Sequence, residues 1–217
     1  LDGFSMSLNK GSVYGLLGKN GTGKSTLLYL MAGLLRPQTG KVYYKGVDVT
    51  LRNPRTLQDI FLVPEEFALP NVSLKQYVKL NAPFYPNFSD ELLKNCLRDF
   101  DMNEDIHLSE LSMGQKKKAF MCFALATNTS FLMMDEPSNG LDIPSKSQFR
   151  KVIASGMSDE KAIIISTHQV RDIDSLLDHV LIMDGSELLL NESVATICKM
   201  LYFAEQGMNE PTDEALY

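Results

Sequence analysis

Cysteine is scarce in this sequence, and the three that occur, Cys96, Cys122 and Cys198, stand far apart. Without closely spaced Cys or His pairs there is no pattern for a zinc site or a disulfide framework, so a reducing compartment fits best. Basic residues are outnumbered: 21 Lys and Arg face 27 Asp and Glu, for a net charge of -6. That balance gives no general attraction to nucleic acid phosphates, and no nucleic acid partner is expected. No window reaches the about eighteen consecutive apolar residues that a membrane crossing needs. Nor does a basic segment followed by an apolar one open the sequence. Internal repeats and low-complexity stretches are also absent. What remains is a 217-residue chain, 44% hydrophobic, long enough for one substantial core, or for a core with a small lobe inserted into it.

Along the chain, Phe4, Met6 and Leu8 alternate with small or polar residues, Asn9-Lys10-Gly11 interrupts, and Val13 to Leu17 is an apolar run. This predicts a hairpin feeding a buried strand. Ser25 to Leu35 has helical spacing at Leu27, Leu28 and Met31, with Arg36-Pro37 as the stop. Lys41 to Tyr44 and Ile60 to Val63 read as further strands. From Pro70 to Glu110 short helices dominate: Ser73 with Gln76 forms a capping box, and Leu93, Cys96, Leu97 and Phe100 recur at helical spacing. Phe131 to Met134 and Ala162 to Ser166 are apolar throughout, as expected of strands buried on both faces, and the helices around them imply parallel pairing. Leu181 to Asp184 and Glu187 to Leu190 predict a closing hairpin, followed by a helix from about Ser193 and a polar tail after Gly207.

Gly18-Lys19-Asn20-Gly21-Thr22-Gly23-Lys24-Ser25 matches G-x-x-x-x-G-K-[ST] between a predicted strand and a predicted helix. Glycines let backbone N–H groups converge on phosphate oxygens, and the helix N-terminus adds positive potential there. Lys24 is expected to reach the β and γ phosphates, and Ser25 to ligate Mg²⁺, with Thr26 completing the nucleotide contacts. Met133-Met134-Asp135-Glu136 delivers two carboxylates at a strand tip: Asp135 for the magnesium, Glu136 as general base on the attacking water. Ser112 to Gln115 fits a capping box, so this helix end, with a serine hydroxyl and the amide of Gly114, also presents donors to an anion. Gly18, Glu65, Asp135 and His168 each follow a predicted strand, and in a parallel sheet they would share one carboxyl edge. His107 and His179 read as loop residues.

The order of these motifs, with Leu111-Ser112-Met113-Gly114-Gln115 between the phosphate loop and Asp135-Glu136, resembles the ATP-binding cassette (ABC) ATPases from about Gly3 to Met200. The resemblance implies an α/β P-loop NTPase: a mainly parallel central sheet, an N-terminal antiparallel β part and an inserted helical lobe. A single nucleotide-binding domain over 1–217 is expected, with its core at about 1–69 and 116–200, the lobe at about 70–115 and a tail at 201–217. It implies ATP and Mg²⁺ as ligands and Glu136, His168 and Lys24 as catalytic residues, His168 in the place of the family's switch histidine. A second ATPase subunit, its own copy or a homologue, would be bound head to tail. Ser112, Gly114 and Gln115 would then contact nucleotide held by that partner, and Asp142, in Gly140-Leu141-Asp142, would couple the two sites. A separate transmembrane permease is the other partner implied, which places this chain peripherally at the cytoplasmic face of the membrane. The short lobe and the run Tyr85-Pro86-Asn87-Phe88-Ser89 look like bacterial exporters of antibiotics or other hydrophobic compounds. The alternatives are a soluble cassette ATPase and a nucleotide-dependent regulator that does not hydrolyse.

Three positions depart from the family's pattern. After Phe61-Leu62-Val63-Pro64 the family usually places a glutamine, and here stands Glu65, whose charge beside the metal would tighten metal binding or hold the site open. Met113 replaces a commoner glycine, and the following Lys116-Lys117-Lys118 read as a solvated face, unfavourable to the helix dipole unless phosphate or an acidic group lies near. The family's adenine-stacking aromatic lies upstream of a hairpin like Phe4 to Leu17, before Leu1. Stacking of about 1 to 3 kcal/mol per base, by analogy with nucleic acid binders, is therefore expected to be missing from these residues.

Overall fold

A computed structural model describes Leu1, Gly3 and residues 5–201. Phe4 and the tail after Gly207 lie outside the described residues.

The chain enters as the buried strand β1, Ser12–Leu17, passes through the glycine loop and becomes helix α1, Lys24–Met31. A small antiparallel hairpin follows, β2 (Tyr43–Tyr44) with β3 (Val47–Asp48), and then one helical turn, α2, Pro54–Leu57. After β4, Ile60–Val63, come helices α3 (Leu74–Asn81) and α4 (Asp90–Asp99). Helix α5, Met113–Ala126, leads into strand β5, Phe131–Asp135. Helix α6 (Ile143–Gly156), β6 (Ala162–Thr167), β7 (His179–Asp184), β8 (Glu187–Ser193) and α7 (Val194–Met200) complete the described chain.

Six strands form one sheet in the order β4-β5-β6-β1-β7-β8. All neighbours are parallel except β7 and β8, which close the sheet as an antiparallel hairpin. Strands β5 and β6 are buried along their whole length, and β1 at every residue but Ser12, because both faces are covered. Alternate side chains reach opposite cores. Val13, Leu17, Phe61, Val63, Leu132, Met134, Ile163 and Ile165 pack with α4, α5 and α6. Tyr14, Leu16, Ile60, Phe131, Met133 and Ile164 pack with Leu27, Leu28 and Met31 of α1. The helices of residues 70–110 join α5 through aromatic side chains: Phe123 meets Tyr77 at 5.0 Å and Phe88 at 5.6 Å between ring centroids. Both expected capping boxes form, Ser73 with Gln76 and Ser112 with Gln115, and Ser89 caps α4.

Three sequence expectations need correction. The N-terminal hairpin does not form with Val13 to Leu17: β1 is paired on one side with β6 and on the other with β7, leaving no free ladder for it. Met6 and Leu8 instead pack against the α1 side of the sheet as unpaired chain. The helix expected over Ser25 to Leu35 ends at Met31. Gly33, at φ +66°, turns the chain where a Cβ would stand 2.5 Å from the carbonyl oxygen of Val49, and Leu34 is left more than half exposed. Finally, His179 opens β7 rather than lying in a loop, and its ring nitrogen bonds Asn191 at 2.9 Å.

Candidate functional site

Four parallel strands, β4, β5, β6 and β1, end on one edge of the sheet; Asp135 closes β5, and the segments that follow the four strands carry Glu65, Glu136, His168 and Gly18 respectively. A parallel sheet gathers ligands at this edge because strand ends and helix N-termini converge there. Gly18 follows β1 directly, and a Cβ at this position would lie 2.5 Å from the carbonyl oxygen of Met183, so only glycine fits the close approach of the two chains.

Lys24 is buried at the first turn of α1. Its ammonium donates to the carbonyl oxygens of Gly18 at 2.8 Å and Lys19 at 3.0 Å, closing the loop on itself. Thr22 Oγ donates to the Lys19 carbonyl at 2.9 Å, while Asn20, Gly21 and Thr26 are exposed and Ser25 is half-buried. An ammonium, a helix N-terminus and converging amides make an anion cradle.

Glu136 lies against this loop. Its Oε1 has no hydrogen-bond partner and stands 3.6 Å from the Lys24 ammonium; its Oε2 is 3.0 Å from Nδ1 of His168. The backbone of Glu136 is left-handed, φ +45°, an uncommon conformation for a residue with a Cβ. Its N–H donates to Ser166, to the carbonyl at 3.2 Å and to the hydroxyl at 3.0 Å. The same hydroxyl donates to Oδ1 of Asp135 at 2.5 Å, and Asp135 is 2% exposed. His168 shares an open cleft of about 460 Å³ with Gly18, Lys19, Asn20, Thr167 and Val170. A larger cavity, about 730 Å³, lies between Met6, Leu8, Met31, Val42 and Phe131 and holds no phosphate-loop residue.

Glu65 does not simply face water. Its Oε1 accepts from the side-chain amide of Asn139 at 2.9 Å. Ser25, Asp135 and Glu65 each offer oxygen, the donor type that Mg²⁺ takes from one or two side chains together with substrate phosphates. Among the described residues, no group of three or more His, Cys, Asp or Glu is arranged to hold a metal by itself.

Ser112, Gly114 and Gln115 stand apart from this constellation. The Ser112 hydroxyl accepts from the Gln115 amide, both residues are exposed, and none of their side-chain hydrogen bonds runs to the phosphate loop. Asp142 caps α6, accepting from the Ser145 amide at 2.9 Å, and hydrogen bonding by the Ser145 side chain and then its backbone holds its carboxyl below the usual carboxylate range.

Residues that sequence reasoning passed over also belong here. Ser166 is brought to Asp135 by the β5–β6 register, which no local motif announces. Lys117, expected on a solvated face, turns inward to the carbonyl oxygen of Asn139 at 2.8 Å, and Lys118 reaches Gln148 at 3.1 Å.

A parallel sheet with a glycine loop between its first strand and first helix, and two acids at a neighbouring strand tip, is the architecture of a P-loop NTPase. The family described as ABC transporter matches residues 1–139. The chain belongs to the ABC transporter family, as an ATP-binding domain. It is similar to the ABC transporter ATP-binding protein YtrB of Bacillus subtilis, 25% identical over 186 residues, covering 85% of this chain and 63% of that protein. The methionine import ATP-binding protein MetN of Carboxydothermus hydrogenoformans is 30% identical over 214 residues, 90% of this chain and 61% of that one. The Nod factor export ATP-binding protein I of Neorhizobium galegae is 25% identical over 198 residues, 87% and 56%. The chain thus spans 56 to 63% of the length of these relatives. Among solved structures, an ATP binding subunit of an ABC transporter superposes with a TM-score of 0.78 at 22% identity, over 88% of this chain and 82% of that one. CbiO1 of Clostridium perfringens, part of the ABC transporter complex CbiONQ, gives 0.74 at 25% identity, over 92% and 84%.

Among the described residues no helix is long and apolar enough to cross a membrane.

Proposed function

We propose that this protein binds ATP with Mg²⁺ and hydrolyses it to ADP and phosphate, driving transport through a separate membrane subunit. The observation that carries the reading is the meeting of Lys24 and His168 on the two oxygens of Glu136, at the sheet edge that holds the glycine loop. On binding, phosphate oxygens replace the loop carbonyls of Gly18 and Lys19 as acceptors for Lys24, and the amides of residues 20–26 line the remaining oxygens. Ser25 and Asp135, with Glu65 beside them, would hold the Mg²⁺, which would supply neutralisation of phosphate charge. Glu136 takes the proton from the attacking water, and His168 orients that carboxylate and reaches the γ phosphate.

The second half of the site comes from another subunit. Ser112, Gly114 and Gln115 lie at an exposed helix end with free donor capacity, as a surface that completes a partner's nucleotide site requires. In a head-to-tail pair Asp142, beside that surface, couples the two sites. With a core at about 1–69 and 116–200 and a helical lobe at about 70–115, the proposal is that the membrane subunit docks on the lobe, with this chain at the cytoplasmic face of the membrane. Relatives named for import and for export match alike, so the proposal is transport without a stated direction.

Phosphate release by wild type and by Glu136→Gln tests the assignment. Turnover in the wild type and its loss in the variant are expected, and equal release by the two would remove Glu136 as general base.

A further inference from the structure

Lys117 is the fifth residue of α5, just past its first turn and near the helix end where a positive charge opposes the dipole. It is nevertheless drawn inward. Its ammonium donates to the Asn139 carbonyl at 2.8 Å and approaches the Glu136 carbonyl at 3.4 Å. Burial lowers its pKa, and the nearby carboxylates of Glu65, Glu136 and Asp135 oppose that shift.

The loop that it grips is the one that sets the direction of the Glu136 side chain. Glu136 is left-handed, and the turn continues through the Asn139 amide, which donates to the Glu136 carbonyl at 3.2 Å. Such a backbone persists only when its surroundings over-determine it. Ser166 holds the turn from the sheet side, through the Glu136 N–H. Lys117 holds it from the helix side, at both ends of the turn. The side chain of Asn139 then ties the same turn to Glu65 at 2.9 Å, so residues from three separate segments converge on four residues of chain.

We propose that Lys117 is a positioning residue for Glu136: its ammonium clamps the 136–139 turn and so aims the carboxylate at the phosphate loop. Lys117 acts through the turn, by its two carbonyl contacts. The clamp also joins the start of the helix that carries Ser112 to its own protomer's Glu136. This inference rests on the ATPase reading above for its catalytic consequence, but not for the clamp itself.

Two measurements on the full chain separate these. Hydrogen–deuterium exchange of the peptide spanning residues 134–142, without nucleotide, should rise several-fold in Lys117→Met and return toward wild type in Lys117→Arg, whose guanidinium can donate to both carbonyls. In ATP hydrolysis, Lys117→Met should lower kcat by roughly 10- to 100-fold, the scale expected for misplacing a reacting group by about 1 Å, with KM held within about twofold and kcat recovered in the Arg variant. Lys117→Gln serves as the second neutral variant, and circular dichroism establishes that each is folded. Unchanged exchange in the neutral variants, or raised exchange with unaltered kcat, would overturn the inference. A wild type that releases no phosphate would instead sink the ATPase reading, while the exchange result would still decide the clamp.

Discussion

Nδ1 of His168 lies 3.0 Å from one oxygen of Glu136, while the ammonium of Lys24 lies 3.6 Å from the other. The carboxylate is thus held between a ring that can orient it and a cation bonded to the glycine loop. Glu136→Gln keeps the side-chain shape and removes the base. Turnover should fall by roughly 10²- to 10⁴-fold, the usual worth of a positioned base, with nucleotide affinity retained. His168→Ala should lower turnover in the same direction without lowering affinity by as much. Phosphate release and equilibrium nucleotide binding, measured on the same samples, check both.

Lys24→Ala removes the donor to two loop carbonyls and the charge meant for the phosphates. Hydrogen bonds to a charged group are each worth about 1.5 to 3 kcal/mol, so ATP affinity should drop by roughly 10- to 100-fold. Titration calorimetry reads this directly; an unchanged Kd would mean that the loop is not the phosphate site.

Glu65 spends one carboxylate oxygen on Asn139. Its charge remains available to a metal. Glu65→Gln can still accept from Asn139 but lacks that charge, so the Mg²⁺ concentration giving half-maximal turnover should rise several-fold while the fold is unaffected. If metal dependence and turnover both match wild type, the metal-side role is lost.

Phe123 is 1% exposed and meets Tyr77, Phe88, Phe61 and Tyr85. Truncating it leaves a cavity that these rings cannot fill. Phe123→Ala should cost about 3 to 5 kcal/mol of stability, read as a lower urea midpoint.

Burial pushes the Cys96 thiol up to about 12 and raises Cys122 well above its ordinary value, whereas Cys198 is exposed. Thiolate is the reactive form. A disulfide reagent at neutral pH should therefore modify Cys198 in the native protein and reach Cys96 and Cys122 only after unfolding. Rapid native labelling of either buried thiol would contradict the packing of α4 on α5.

How much was legible beforehand differs by element. The glycine loop, the acids after β5 and both serine capping boxes were readable because each is a local pattern whose residues act within one turn or one strand end. The parallel pairing of the strands followed from the helices between them and from apolar runs such as Ile163 to Ile165. The N-terminal hairpin was misread because alternation says that a segment is extended, not which ladder is free, and β1 already has neighbours on both sides. The end of α1 was misread because apolar spacing continued past Gly33, where contact with the Val49 carbonyl demanded a turn.

The sequence by itself determined that a glycine loop, two acids and a histidine exist and that they lie at strand ends, since those facts depend on neighbouring residues alone. Only the tertiary structure decided that Ser166 braces Asp135, that Asn139 takes Glu65, and that Lys117 leaves solvent for the turn beside Glu136. The physical reason is range: a cross-strand register or a side chain reaching from another helix is set by packing between segments tens of residues apart, and local composition carries no record of that packing.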